Sequence, residues 1–348
     1  MKTLRRFISD QKTRVVLALL AGLALLAVWL RMVDLREIGA RLAAFDLRWV
    51  GLFAALWFSA AFLRSLRWRA ILSRVVAVPP LEGFALFMSC MFVNFLVPLR
   101  LGEAITGLAL KRNRGVPFAK SLPTQVMDRL FDLTPILPAL LLVLLLGGER
   151  SGAIVGLLVF VAAVFTFLTA LVVLSVARPD LAARLLRVAG RALPSSIRSR
   201  VEGFAMLCVE GFGALRLGAG AIVGLVGITF LALAIDALSL MVIFKGLGYE
   251  VAPTLVLSGY TLFFLMSALP RPPGQVGSHE VLFLLIFSLL LGIDKNVASS
   301  AVLAGHVMLA LLLSVTGVLS LVALGIRSVS VVREEIPEQG SSRASCAS

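Results

Sequence analysis

The residues able to do chemistry in this chain sit where apolar sequence is interrupted. Met88 to Val97 runs into Pro98-Leu99-Arg100-Leu101-Gly102-Glu103, and Leu262 to Leu269 runs into Pro270-Arg271-Pro272-Pro273-Gly274-Gln275-Val276-Gly277-Ser278-His279-Glu280. In the first break Arg100 and Glu103 are one helical turn apart. A helix resuming after Pro98 therefore puts them on one face, as a structural ion pair or as half of a ligand site. Asn94, one turn before Pro98, adds amide hydrogen bonding, and Gly102 permits a tight turn or close backbone approach. In the second break Pro270, Pro273, Gly274 and Gly277 rule out a regular helix, so freed backbone groups need partners from ligand, water or the first break. Arg271 carries the planar donor fork that suits phosphate. Glu280 begins the returning arm, where it serves either a substrate or the positive end of a helix.

Further ionisable residues lie beside or within apolar runs. Asp128, Arg129 and Asp132 precede Leu133; the two acids share a helical face and Arg129 is within reach of Asp132, as dipole complements or as part of a site. Asp236 lies well inside the run from Ala219 to Phe244, where an acid marks function or neutralises an arginine such as Arg100 or Arg271. His306 sits inside the last run and reads as structural or titrating. His279-Glu280 begins like a zinc-protease helix, but Phe283 stands where the second histidine belongs, so neither a metal nor another cofactor is expected. Cys90, Cys208 and Cys346 form neither a disulfide framework nor a zinc spacing. With no phosphate-binding loop, nucleophile elbow or dinucleotide fingerprint, the chain does not read as an enzyme.

The elements that position these residues belong in a bilayer. The chain has 348 residues, of which 59% are hydrophobic, and a mean hydropathy of +1.01, which excludes a soluble domain with a polar surface. An all-α, polytopic transmembrane bundle is predicted. The net charge of +14 does not imply nucleic acid, because the arginines cluster in loops beside apolar runs; cytoplasmic loops near anionic headgroups account for them. Runs of spanning length, about 17 to 25 residues, occur at Val15 to Val33, Leu133 to Gly147, Ala153 to Ala177, Ala219 to Phe244 and Val297 to Ile326, and Trp49 to Leu63 spans with its flanks. The broken pairs, Gly83 to Leu110 and Ala252 to Gly292, have arms too short or too polar for full spans. They read as re-entrant hairpins.

Charge orients these elements. Basic residues before the first span, then Arg64, Arg67, Arg69 and Arg74, then Lys111, Arg112, Arg114 and Lys120, then the arginines of the central loop are all expected in the cytoplasm. Arg31, Arg36, Arg41 and Arg48 fall outside but interleave with Asp34, Glu37 and Asp46. Leu35, Ile38, Leu42 and Phe45 there share one face, predicting an interfacial amphipathic helix. This divides the chain into a cytoplasmic N-terminus (1–14), a first transmembrane repeat (15–147), a second (153–326, with a cytoplasmic loop 178–217) and a disordered tail (327–348). Both termini are then cytoplasmic and the membrane is the inner, cytoplasmic one. The halves run in the same order with opposite orientation, an inverted-topology repeat that brings the two broken hairpins together near the midplane.

In order along the chain, Arg64-Ser65-Leu66-Arg67-Trp68, Asn94 to Glu103, Asp128-Arg129-Leu130-Phe131-Asp132 and Leu269 to Glu280 resemble the motifs of the lysylphosphatidylglycerol synthase transmembrane-region family. Those are Arg-x-x-Arg-Trp, Asn-x-x-x-Pro-x-Arg-x-Gly-Glu, Glu-Arg-x-x-Asp and Pro-x-x-Pro-Gly-x-x-Gly-x-x-Glu, and the resemblance runs over roughly residues 12 to 326. The family includes the flippase half of bacterial multiple peptide resistance factors and relatives linked to hopanoid or polyprenyl-lipid pathways. The resemblance implies a lipid-translocating fold with internal repeats and a polar central cavity, with Arg100, Glu103, Asp128, Arg129, Asp132 and Glu280 at the matching polar positions. Asp128 stands where the family commonly has glutamate, Gln275 where glycine is frequent, and His306 where arginine is common. No stretch reads as the soluble aminoacyl-transfer domain. The expected function is therefore flippase-like movement of a phospholipid or other phosphate-bearing amphiphile; the alternatives are an ion-coupled small-solute transporter or a non-catalytic partner of a lipid synthase. Membrane lipids, and a lipid-biosynthetic enzyme, are the expected partners.

Overall fold

The computed structural model describes residues 2–97, 101–135, 218–266 and 271–326, with isolated positions between 174 and 188. Among the described residues every regular element is a helix, as the composition predicts. The first, α1 (Lys2–Met32), already includes the basic stretch expected as a separate N-terminus. Lysine, arginine and glutamine are good helix formers, and no glycine or proline stops the helix before the apolar run. Then the chain turns by 88° into the short α2 (Leu35–Ala43), whose first turn is capped by the Asp34 carboxylate accepting from the Arg36 and Glu37 amides. Ile38 is buried there, Leu42 and Phe45 pack on the core beside it, and Leu35 is exposed. At the start of the next helix the Arg48 guanidinium holds Asp46 below the usual carboxylate range.

The run Trp49 to Leu63, expected to span with its flanks, extends well past Leu63, which corrects the loop placement of the arginines that follow it. The helix α3 runs from Arg48 to Leu72, because nothing after Leu63 breaks a helix and Ser65, Trp68, Ile71 and Leu72 are buried. Arg64 and Arg67, counted in sequence as loop charges, therefore lie inside the bundle.

The broken segments follow from backbone rules. Helix α4 (Pro80–Leu96) starts on a proline at its first turn and stops at Val97, which is extended at φ −119°, ψ 125°; a residue ahead of proline is pushed out of the helical region. Helices α5 (Gly102–Arg114) and α6 (Phe118–Phe131) follow. In the second half come α7 (Ala219–Gly246), α8 (Pro253–Met266), a single 3-10 turn (Pro273–Gln275), α9 (Ser278–Leu284), which widens into a π-helical turn (Leu285–Leu290), and α10 (Lys295–Ala323).

By length and apolar character α3, α7 from Gly220, the stretch Pro273–Leu290 and α10 can each cross a bilayer, and α1 with α2 forms a fifth, bent candidate. At 17 residues α4 is about 25 Å long against a hydrocarbon core of about 30 Å, and α8, with 14, is about 21 Å. The described first arms of both broken pairs thus fall short of the hydrocarbon core, as expected, whereas the returning arm of the second pair, Pro273–Leu290, is long and apolar enough to cross, which corrects the expectation that it too is short of a full span. Helices α3 and α7 pack along each other, α10 lies against α4, and α4 also meets the 3-10 turn, so the two broken segments come together. Most of the run Leu133 to Gly147, the run Ala153 to Ala177, most of the 178–217 loop and the 327–348 tail lie outside the described residues.

Candidate functional site

Two arginines one turn apart on α3 organise the polar interior. Arg67 is completely buried. Its Nε donates to Asp128 Oδ1 at 2.8 Å, its Nη1 to Thr229 Oγ1 at 2.8 Å, and its Nη2 to Asp132 Oδ1 at 2.6 Å and to the Asp128 carbonyl at 3.1 Å. A buried guanidinium is tolerated only with this degree of pairing and donor satisfaction. The aspartates, one turn apart on and just after α6, thus face the same cation across the bundle. Arg64 is ion-paired with Asp236 of α7, while its guanidinium lies 5.1 Å from the centre of the Phe264 ring.

The first break is closed by side chains flanking it. Gly102 sits so close to α4 that an added Cβ would lie 2.2 Å from the Cys90 carbonyl. Its amide donates to Asn94 Oδ1 at 2.8 Å, and the same Asn94 side chain donates to Glu103 Oε2 at 3.2 Å. Across from it Arg129 lies 3.7 Å from Glu103 and 3.5 Å from Asp132. Asn94, Glu103, Arg129, Asp132, Arg67 and Asp128 are therefore one connected network.

The second break is held by a different set. Gly274 and Gly277 take positive φ of 63° and 78°, conformations costly for other residues. A Cβ on Gly277 would fall 2.1 Å from the Gly22 carbonyl of α1. Glu280 caps α9, accepting from the Gly277 amide at 2.7 Å through Oε2, and its Oε1 lies 2.6 Å from His306 Nδ1 on α10. The other ring nitrogen of His306 is 2.9 Å from the Gly274 carbonyl. Arg271 donates to Gln275 Oε1 at 2.6 Å, and that oxygen is 3.2 Å from His279 Nδ1.

Between these networks lies a cavity of about 220 Å³. Arg64, Arg129 and Arg271 line it with Asp132, Asp236, Gln275 and His279, and the remaining walls are largely aromatic and aliphatic, including Trp57, Tyr260, Phe263 and Leu309. Three arginines against two aspartates leave a formal surplus of one positive charge on the described lining. Such a lining favours an anionic group with apolar attachments.

Of the residues singled out in sequence, Arg129, Asp132, Asp236 and Arg271 reach this cavity, whereas Glu103 and Asp128 face a smaller one beside it together with Arg129. Asn94, Gly102, Pro273, Gly274, Gly277 and Glu280 act on backbone shape around it. Pro98, Arg100 and Pro270 lie outside the described residues, as does any pairing of Arg100 with Glu103. Asp236 is paired with Arg64. Sequence reasoning missed Arg64 and Arg67 as interior residues; the available signal was their one-turn spacing with buried Ser65 and Trp68 beside them. His306, read from sequence as structural or titrating, stacks on His279 with ring centres 4.4 Å apart.

The chain is 27% identical over 356 aligned positions to a protein named Glycosyltransferase AglD from Haloferax volcanii, covering 93% of this chain and 56% of that relative. The chain thus spans about half the length of the curated relative it matches. No solved structure matches it. The profile described as the lysylphosphatidylglycerol synthase TM region matches residues 15–317, from the first span into the last, with both breaks and the interior arginines Arg64 and Arg67 of α3 inside it. The chain belongs to the lysylphosphatidylglycerol synthase transmembrane-region family.

Proposed function

We propose that this protein moves a phospholipid or another phosphate-bearing amphiphile across the cytoplasmic membrane, sheltering the headgroup in the central cavity while the tails stay in lipid. The observation that carries this reading is the convergence of Arg64, Arg129 and Arg271 on one cavity with aromatic and aliphatic walls. Guanidinium forks match phosphate oxygens, and apolar walls suit the first carbons of an attached chain. Glu103, Asp128 and Glu280 set the arginines and the backbone, and movement of one half-helix pair against the other would open the cavity alternately to the two leaflets. The distribution of basic residues supports cytoplasmic termini.

A second reading is favoured by one finding. The relative named as a glycosyltransferase is matched over 56% of its length, which fits a membrane region that presents an amphiphile to a separate catalytic part. In that case the protein acts as the non-catalytic partner of a lipid-modifying enzyme.

The purified chain in vesicles carrying acyl-labelled phosphatidylglycerol separates these readings. Transport predicts faster leaflet exchange with the wild type than with empty vesicles, and a marked loss in Arg271→Gln that still elutes as a folded monodisperse species. Exchange equal to that of empty vesicles sinks the transport reading.

A further inference from the structure

The His306 side chain is placed between two oxygens that both require a hydrogen. Nδ1 lies 2.6 Å from Glu280 Oε1 and Nε2 lies 2.9 Å from the Gly274 carbonyl. A neutral imidazole supplies one N–H, an ionised carboxylate none, and a carbonyl only accepts. Two contacts therefore need two hydrogens where neutral histidine with ionised glutamate has one. Satisfying both contacts takes an additional proton on the pair, as imidazolium beside carboxylate or as neutral imidazole accepting from a carboxylic acid, and either way the pair's net charge is zero. Glu280 cannot turn away, because its other oxygen accepts from the Gly277 amide at 2.7 Å.

Both side chains are buried, at 8% exposure for His306 and 3% for Glu280. Around them α8 contributes Phe263, which meets His279, and α4 contributes Phe95, which meets His306 edge-on. At Gly277 α1 presents Gly22 and Leu26 through backbone atoms, and α7 presents Ile243 at Gly305. Among the described residues the ionisable neighbours are His279, stacked on His306, and Arg271, whose charge acts on His279. Losing the extra proton leaves a net negative charge in a dry setting. The remaining N–H stays with the charged carboxylate, the stronger acceptor, so the bare Nε2 lone pair then faces the Gly274 oxygen. That contact becomes repulsive, and it joins α10 to the Pro273–Gln275 turn.

We propose that His306 and Glu280 form a proton-binding site whose occupancy sets the position of the Pro273–Gln275 turn, and through it of Gln275 and Arg271 in the cavity wall. Binding in the cavity is then linked to protonation, and by reciprocity an anion bound there shifts the titration of the pair. The proposal goes beyond lipid movement and stands whatever the cavity holds.

The chain contains two histidines, so imidazole nitrogen-15 spectra of the full protein in phosphatidylcholine nanodiscs, with nothing added, read the pair directly. His279→Phe assigns the His306 signals. Infrared difference spectra against Glu280→Gln report a protonated carboxyl. In Glu280→Gln the amide donates to Nδ1 while its oxygen accepts from Gly277, so both His306 contacts persist without a proton to lose.

The expected result is one titration step at the pair in the wild type, absent from Glu280→Gln. Across that step, hydrogen exchange in 271–278, corrected for its intrinsic pH dependence, should rise roughly fivefold, the change for one lost hydrogen bond. The proposal is overturned by a neutral His306 beside an ionised Glu280 throughout the pH range, by the same titration in Glu280→Gln, or by exchange in 271–278 that ignores the step. None of these outcomes depends on lipid exchange, so the two readings fail separately.

Discussion

Arg67 holds Asp128 at 2.8 Å with the guanidinium completely buried and the carboxylate nearly so. The contact ties the middle of α3 to α6, and since Arg67 also holds Asp132 at 2.6 Å, one cation restrains two acids. Without it, both aspartates would remain in a low-dielectric interior with neither held in a direct guanidinium pair as close as 2.8 Å, Arg129 lying 3.5 Å from Asp132.

Arg67→Met should therefore destabilise the protein by about 3–5 kcal/mol, the cost of breaking a buried pair by removing one partner. Adding Asp128→Asn and Asp132→Asn should recover part of that loss. Thermal unfolding in detergent, followed by size-exclusion peak height, distinguishes this from simple loss of side-chain packing, for which the added changes would only lower stability further.

The pairing of Arg64 with Asp236 should give a coupling energy in a double-mutant cycle. Arg64→Leu and Asp236→Leu each strand a mostly buried charge, whereas the double variant strands neither, so the coupling should exceed about 1 kcal/mol. Additive losses would mean that the two charges act independently.

Gly277→Ala should be far more damaging than Gly218→Ala, which faces open space and has no positive φ. The left-handed conformation alone costs about 1–3 kcal/mol, and the new Cβ collides with the α1 backbone at Gly22. Melting temperatures of the two variants, with Gly102→Ala as a second close-approach site, give the comparison.

Asn296 anchors α2 to α10 by accepting from the Asp34 amide at 3.1 Å and donating to Glu37. Asn296→Ala should free α2 while leaving the central cavity intact. The expected readout is faster amide exchange confined to residues 34–43, at a cost of about 1–3 kcal/mol for the partners left unsatisfied. Slow exchange there would show that Ile38 and its apolar neighbours hold α2 alone.

Much of the architecture was readable from composition and punctuation. The helical class, the long spans ending in α7 and α10, the bend into α2 and both breaks follow from hydropathy, from a proline's effect on the preceding residue and from the period of α2's apolar face. The acid pair Asp128 and Asp132 was also readable as a shared face, because helical spacing is a local property. Arg64 and Arg67 were not, since a hydropathy count stops a span at the first arginine and has no means of knowing that acids elsewhere in the chain will neutralise it.

The sequence by itself therefore determined which segments are apolar enough to cross a bilayer, where they break and which residue types are available at the breaks, because burial period and backbone restriction act over a few residues. Tertiary structure decided the partners. That Arg64 meets Asp236, that Arg67 takes both aspartates and that Glu280 meets His306 depend on contacts between residues 26 to 172 positions apart. Their pairing is set by the cost of leaving a charge unmatched in a dry interior, and that cost is defined only once the helices have packed.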